Sequence, residues 1–261
     1  STRCQPMTGM CLLALSVLFA CNTGEKNKAP SPEFEHLPYA KLSQYGFFLG
    51  APGQLKPAPG VEPYDLATPL FSDYSHKARF VWMPPGAQAL VDERGYMVFP
   101  DRTILIKNFY YPVDFRDPAI GRQMVETRLL VRRNGAWEAF TYEWKDNGTD
   151  AELMQVGNIK PVSWVSDTGE RIQIDYVIPN KNQCKSCHNA GNKLEPIGPK
   201  VRNLNFEMLY PNGVRMNQLL HWQETGYLAQ GDHVVAHTTL PRWDDPASGS
   251  LSQRAAAYLD I

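Results

Sequence analysis

The sequence has little cysteine, almost no net charge and no apolar run long enough to cross a bilayer. Its five cysteines fall as Cys4, Cys11 and Cys21 at the front and Cys184 and Cys187 far downstream, so no evenly spaced set marks a disulfide framework. The apolar stretch from Met10 to Ala20 is about half of the roughly twenty residues that a spanning helix needs. Lys plus Arg number 26 against 27 Asp plus Glu, which leaves no overall field to draw nucleic acid or an anionic surface. A glycine-rich phosphate loop, a nucleophile elbow and a paired-carboxylate motif are also missing, so common nucleotide-binding and hydrolytic signatures are absent. Proline (21) and glycine (19) are plentiful instead, favouring short strands and many turns over long helices.

The apolar stretch follows Arg3 and precedes the polar run Asn22 to Lys28, the layout of an export signal. Leu18-Phe19-Ala20-Cys21 resembles a bacterial lipobox, which implies cleavage before Cys21 and lipidation of its thiol. Residues 1–21 are therefore expected to be a lipoprotein signal peptide and residues 22–38 a polar, proline-containing tether. The expected location is periplasmic, lipid-anchored at the inner face of the outer membrane or at the inner membrane. Cleavage would leave only Cys21, Cys184 and Cys187, and the last two need a use other than a framework.

Residues 39–180 read as a β-rich domain. Runs rich in β-branched and aromatic residues cover Arg79 to Met83, Thr103 to Tyr111, Glu126 to Arg133, Trp137 to Trp144 and Arg171 to Ile178. Asn134-Gly135 suits a type I′ hairpin, whose two central residues both need positive φ, and Asp167-Thr168-Gly169 suggests a second hairpin. Ile172, Ile174, Tyr176 and Ile178 alternate with Arg171, Gln173, Asp175 and Val177, giving one apolar face. The expected class is mainly β with α, an antiparallel β-sandwich-like domain followed by a small loop-and-helix segment over residues 181–249. Trp82, Trp137, Trp144, Tyr110, Tyr111 and Tyr142 are read as core, although they could line a sugar-binding face. Met216, Leu219 and Leu220 have helical spacing with Gly226 as a stop, and Leu251, Ala255, Tyr258 and Leu259 form an amphipathic stripe from residue 250 to 261.

Cys184-Lys185-Ser186-Cys187-His188 is a CxxCH motif. Two thiols at this spacing can add to the vinyl groups of a haem as thioethers, and the adjacent imidazole can ligate iron, so covalent haem c is the expected cofactor with His188 as proximal ligand. A thioredoxin-like pair would want a helix after the motif, which Pro196, Gly198 and Pro199 would soon break. A zinc site could borrow His233 and His237, but they lie far beyond the usual finger loop. For the sixth iron position Met208, Met216 and His221 are candidates: a thioether would raise the reduction potential and a second imidazole would lower it. Pro196-Ile197-Gly198-Pro199 resembles the Gly-Pro element that follows the motif in class I cytochromes c, which implies that the Pro199 carbonyl orients His188; a simple loop kink is the alternative.

Three further strings, Tyr64 to Tyr74, Glu126 to Arg132 and Val177 to Cys184, together with Pro196 to Asn205 and Asn217 to Trp222, resemble an uncharacterised family of Gram-negative di-haem c-type cytochromes. The resemblance implies a lipoprotein that often neighbours a parallel β-helix protein or is joined to dehydrogenase-like domains. It also implies a second CxxCH just past the present C-terminus, with residues 250–261 as the first helix of a second cytochrome c domain. The expected role is single-electron transfer between redox proteins, possible partners being a dehydrogenase or a β-helix protein, with no nucleic acid and with the membrane reached through lipid. An electron carrier is expected rather than a catalyst. Rival readings are the electron-accepting subunit of a dehydrogenase, a haem peroxidase-like enzyme, and a zinc-bearing glycan-binding lipoprotein.

Overall fold

Six antiparallel strands, Val61–Tyr64, His76–Trp82, Ile104–Pro112, Arg122–Arg133, Ala136–Trp144 and Ala151–Leu153, lie side by side in that order and build the central sheet. The structure, a computed structural model, describes residues 28–145, 148–180, 183, 189–190, 193–232 and 239–259. The strands are β1 Val61–Tyr64, β2 His76–Trp82, β3 Leu90–Val91, β4 Met97–Val98, β5 Ile104–Pro112, β6 Arg122–Arg133, β7 Ala136–Trp144 and β8 Ala151–Leu153, with β3 and β4 forming a separate small ribbon. Asn134 and Gly135 turn β6 into β7 with φ of 52° and 75°, the mirror-image turn their side chains permit at least cost. A second ribbon pairs β9 Asn158–Val165 with β10 Arg171–Ile178 through a turn in which Gly169 takes φ 86°. The fold is mainly β with α, antiparallel throughout its ladders, as the alternation and turn residues required.

Of the strands that the sequence reading did not include, two contain proline. Pro63 lies in β1, at the edge of the sheet, and Pro161 lies in β9, within a two-stranded ribbon; both strands have a side with no ladder to interrupt. Along β10 the expected alternation holds: Ile178 and Tyr176 are buried and Arg171, Gln173, Asp175 and Val177 are exposed.

One face of the sheet presents Phe80, Trp82, Ile104, Ile106, Leu129, Val131, Tyr142 and Trp144 to a cover made by the N-terminal segment. Phe34, Leu37, Leu42, Tyr45, Phe47 and Phe48 fill that cover from short 3-10 helices and turns. Within the stretch expected to be a tether, Phe34 and Leu37 are buried, so residues 34–37 already belong to the fold, because two large apolar side chains leave water there. The aromatics Trp82, Trp137, Trp144, Tyr111 and Tyr142 are all buried, which assigns them to the cores and not to a sugar-binding face.

The opposite face is divided. At one end the β9–β10 ribbon packs Val162, Trp164, Tyr176 and Ile178 against Tyr111 and Val125. At the other end Val81, Leu105 and Trp137 meet Val201, Leu204, Leu219, Trp222 and Leu228. Those last residues come from helices α1 Val201–Leu204 and α2 Gln218–Glu224 and the turn beyond, so the segment after residue 200 shares a core with the sheet. Between α1 and α2 runs a small ribbon of β13 Glu207–Leu209 and β14 Arg215–Asn217. Met216 therefore lies on a strand, not on a helix as its spacing suggested. Asn217 is the reason: its side chain accepts hydrogen bonds from the Leu219 and Leu220 amides and caps a helix that starts at Gln218, two residues after Met216.

Helix α3, Leu251–Leu259, buries Ala257, while Leu251, Ala255 and Leu259 are exposed; the expected apolar stripe is formed but not covered by described residues. Among the described residues no helix is long and apolar enough to cross a membrane.

Candidate functional site

Cys184, Cys187 and His188 lie outside the described residues, as do Cys21, His233 and His237. The chain on either side of the motif is described, and it meets the same stretch of β7. Before the motif, Asn180 and Gln183 bond each other reciprocally: the Gln183 amide donates to Asn180 Oδ1 (3.0 Å) and the Asn180 amide to Gln183 Oε1 (2.8 Å). Pro179 and Asn180 border a cleft of about 340 Å³ lined by Ala139, Phe140, Thr141 and Met154. After the motif, Asn189–Ala190 (β11) pairs with Lys193–Leu194 (β12), and Leu194 packs against the core that β7 shares with the helices. Ile197 and Gly198 then border a second cleft of about 130 Å³ that shares Ala139, Phe140 and Thr141 with the first.

This second cleft sits on the divided face, between the core under α1 and α2 and the core under the β9–β10 ribbon. Leu66, Leu70, Leu105, Leu130 and Ile197 make much of it apolar. Its floor is a row of cross-strand neighbours, Arg79 on β2, Lys107 on β5, Arg128 on β6 and Thr141 on β7. Like charges directly opposite in a ladder repel, and two carboxylates, Asp65 and Glu126, answer them. Asp65 Oδ1 accepts from Arg79 Nη1 at 2.9 Å. Glu126, fully buried, takes Arg128 in a two-pronged pair at 2.9 and 2.5 Å and also accepts from the Tyr176 hydroxyl at 2.7 Å.

Lys107 has no ion-pair partner among the described residues and rests over the Phe109 ring at 4.9 Å. Burial, with the charges of Arg79, Arg128 and Lys77 adding to it and Glu126 opposing, pulls its ammonium down to about 7. Lys77, on the same face of β2, is pulled down to about 8 by burial first and Arg79 second. The Arg79 side chain is only 4% exposed, and its Nη2 has no hydrogen-bond partner among the described residues. A buried guanidinium nitrogen left without an acceptor is costly and unusual.

The sequence reading missed these cations. Their signal was a basic residue in the middle of an otherwise apolar strand, as with Lys107 between Ile106 and Phe109 and Arg128 before Leu129 and Leu130. Residues from three of the quoted strings meet here: Tyr64, Leu66 and Leu70; Arg128, Leu129 and Leu130; Ile197 and Gly198. The first string is a strap across the sheet end. Tyr64 packs edge-on to Trp222 at 5.8 Å, the Asp65 amide donates to Gln218 Oε1, and the Ala67 amide donates to the Asn203 carbonyl. At its far end Asp73 and Tyr74 take φ of 44° and 62°, a left-handed conformation that costs about 1 to 3 kcal/mol per non-glycine residue. The Tyr111 hydroxyl, donating to the Asp73 carbonyl, and Ser75, donating to the Ser72 carbonyl, hold it there.

The sixth-ligand candidates lie on the β13–β14 ribbon and on α2. Met208 and Met216 are cross-strand partners, and Met208 lines a groove with Pro63, Asp65, Lys77 and Tyr210. His221 is engaged: its Nε2 is 2.9 Å from Glu62 Oε2 and its ring lies 3.7 Å from that of Tyr210. As an iron ligand it would have to use Nδ1, with Glu62 orienting the ring, or release Glu62. Pro199 is buried and follows a cis peptide bond from Gly198; its relation to His188 lies outside the described residues. Among the described residues no group of three or more His, Cys, Asp or Glu side chains could hold a metal ion. No protein family, curated protein or solved structure matches the chain.

Proposed function

We propose that this chain is an exported, lipid-anchored c-type cytochrome that passes single electrons between redox proteins at the periplasmic face of a membrane. The observation that carries the reading is the CxxCH motif, Cys184 to His188, in a chain whose only other cysteines fall within or at the end of an export signal. Cys184 and Cys187 would hold the haem through thioethers and His188 would ligate its iron, with Met208, Met216 or His221 as candidates for the opposite side. When bound, the haem supplies a ferric/ferrous couple that accepts one electron from a reduced partner and gives it to an oxidised one.

The described residues fit such a group. A haem is an apolar ring carrying two carboxylates, and the cleft beside Ile197 and Gly198 combines leucine side chains with a buried guanidinium nitrogen that lacks an acceptor among the described residues. The chain's own part is to hold both flanks of the motif near β7, through Pro179 and Asn180 on one side and the β11–β12 ribbon on the other. That would limit solvent access and set the potential through burial. The resemblance to di-haem cytochromes points the same way. Expression with c-haem maturation tests the reading: reduced and oxidised absorption spectra should differ in the haem bands, and Cys184→Ala with Cys187→Ala should abolish covalent colour. A protein without haem bands after maturation that binds zinc would favour the glycan-binding alternative.

A further inference from the structure

From the Arg79–Lys107–Arg128 row and the cleft above it, we infer a carboxylate-binding site on the face of the sheet, with Ile197 and Gly198 as its opposite wall. Two sources share that chemistry: a propionate of the attached haem, which would rest on the reading above, and a small carboxylate from solution, which would not.

The case starts from charge. Arg79, Lys107 and Arg128 are consecutive neighbours across three strands, and no ladder gains from setting three cations side by side. Glu126 satisfies Arg128 and Asp65 satisfies one nitrogen of Arg79, so the described chain leaves Lys107 and Arg79 Nη2 facing the cleft unanswered. The chain between Lys181 and Asn192 contains no acidic residue and brings no carboxylate of its own. An anion set between Arg79 and Lys107 would accept from both.

Shape narrows the ligand. At about 130 Å³ the cleft is well below the roughly 300–1,000 Å³ of pockets that enclose whole drug-sized ligands, so it suits the end of a molecule. The planar Arg79 guanidinium stands directly across the β2–β5 ladder from the Lys107 ammonium, an arrangement suited to a planar two-oxygen acceptor set between them. The leucines around the row suit an aliphatic chain leading to that acceptor.

Titration of the full chain with succinate by calorimetry tests the site, using protein produced with and without haem attachment and sodium chloride as the ionic-strength control. The haem-free chain should bind succinate saturably. Lys107→Met, which removes charge without removing bulk, should weaken binding by about tenfold or more, the worth of one charge-assisted hydrogen bond, while Lys107→Arg retains it. Loss of succinate binding on haem attachment would identify a propionate as the resident carboxylate; undiminished binding would identify a ligand from solution. If succinate binds neither form, a shift in reduction potential in haem-bearing Lys107→Met still supports a propionate there, and an unchanged potential and spectrum overturn the site. Should no haem attach at all, the succinate titration decides alone, so the failure of the cytochrome reading and the failure of this site are separable.

Discussion

Arg79 and Lys107 stand directly opposite each other on β2 and β5, two cations with side chains on one face of the sheet and, among the described residues, a single ion-pair partner, Asp65, between them. The arrangement has consequences for stability that are independent of any cofactor.

Lys107 has an ammonium pulled from 10.5 to about 7 in the folded chain. Between those values the unfolded chain holds a proton that the folded chain has released, so rising pH favours folding. Urea unfolding should therefore show stability increasing from pH 7 to pH 10, with Lys77 adding to the slope above about 8. In Lys107→Met the rise should shrink, and the variant should be more stable than the parent at pH 6 by about 1–2 kcal/mol, since a poorly compensated charge has been replaced by an apolar chain. A pH-independent parent would refute this.

Glu126 is the counterpart. Its carboxylate is fully buried and holds Arg128 and the Tyr176 hydroxyl at once, linking β6 to the β9–β10 ribbon. Glu126→Gln should cost about 2–3 kcal/mol in chemical denaturation, because Arg128 loses its two-pronged carboxylate partner beside the cations Arg79 and Lys107. Tyr176→Phe should cost about 1 kcal/mol, the worth of one hydrogen bond.

Asn217 separates the strand that holds Met216 from the helix that holds His221. Asn217→Ala removes the acceptor for two helix amides and should lower stability by about 1 kcal/mol, read as a fall in melting temperature, whereas Asn217→Asp should be nearly neutral.

In haem-bearing protein, Met208→Leu, Met216→Leu and His221→Ala separate the sixth-ligand candidates. Loss of a methionine-sulfur charge-transfer band in one methionine variant, with a lowered potential, would assign that residue. If His221 is the ligand, Glu62→Gln should also move the potential, because the carboxylate orients the imidazole at 2.9 Å.

Much of this was readable from residue order alone. Alternation along Arg171 to Ile178 and the Asn134-Gly135 pair disclosed strands and a turn because both depend on local backbone preference. The strands containing Pro63 and Pro161 were not readable, since whether proline is tolerated depends on which side of a strand is left without a ladder, a tertiary property. Met216 was misplaced because apolar spacing cannot see that the Asn217 side chain starts the helix. The motif at Cys184 to His188 was plain from spacing, while the row of Arg79, Lys107 and Arg128 was not: those residues are far apart in sequence and meet only through strand register. Phe34 and Leu37 were lost in a polar, proline-containing stretch whose composition masked two core residues.

The account depends most on a haem joined covalently to Cys184 and Cys187, and intact-mass spectrometry of matured, denatured protein tests it directly. The predicted result is a mass increased by one haem, with colour that stays on the polypeptide after denaturation and after extraction with acidified organic solvent. An unmodified mass, or a pigment that leaves with the solvent, would contradict it.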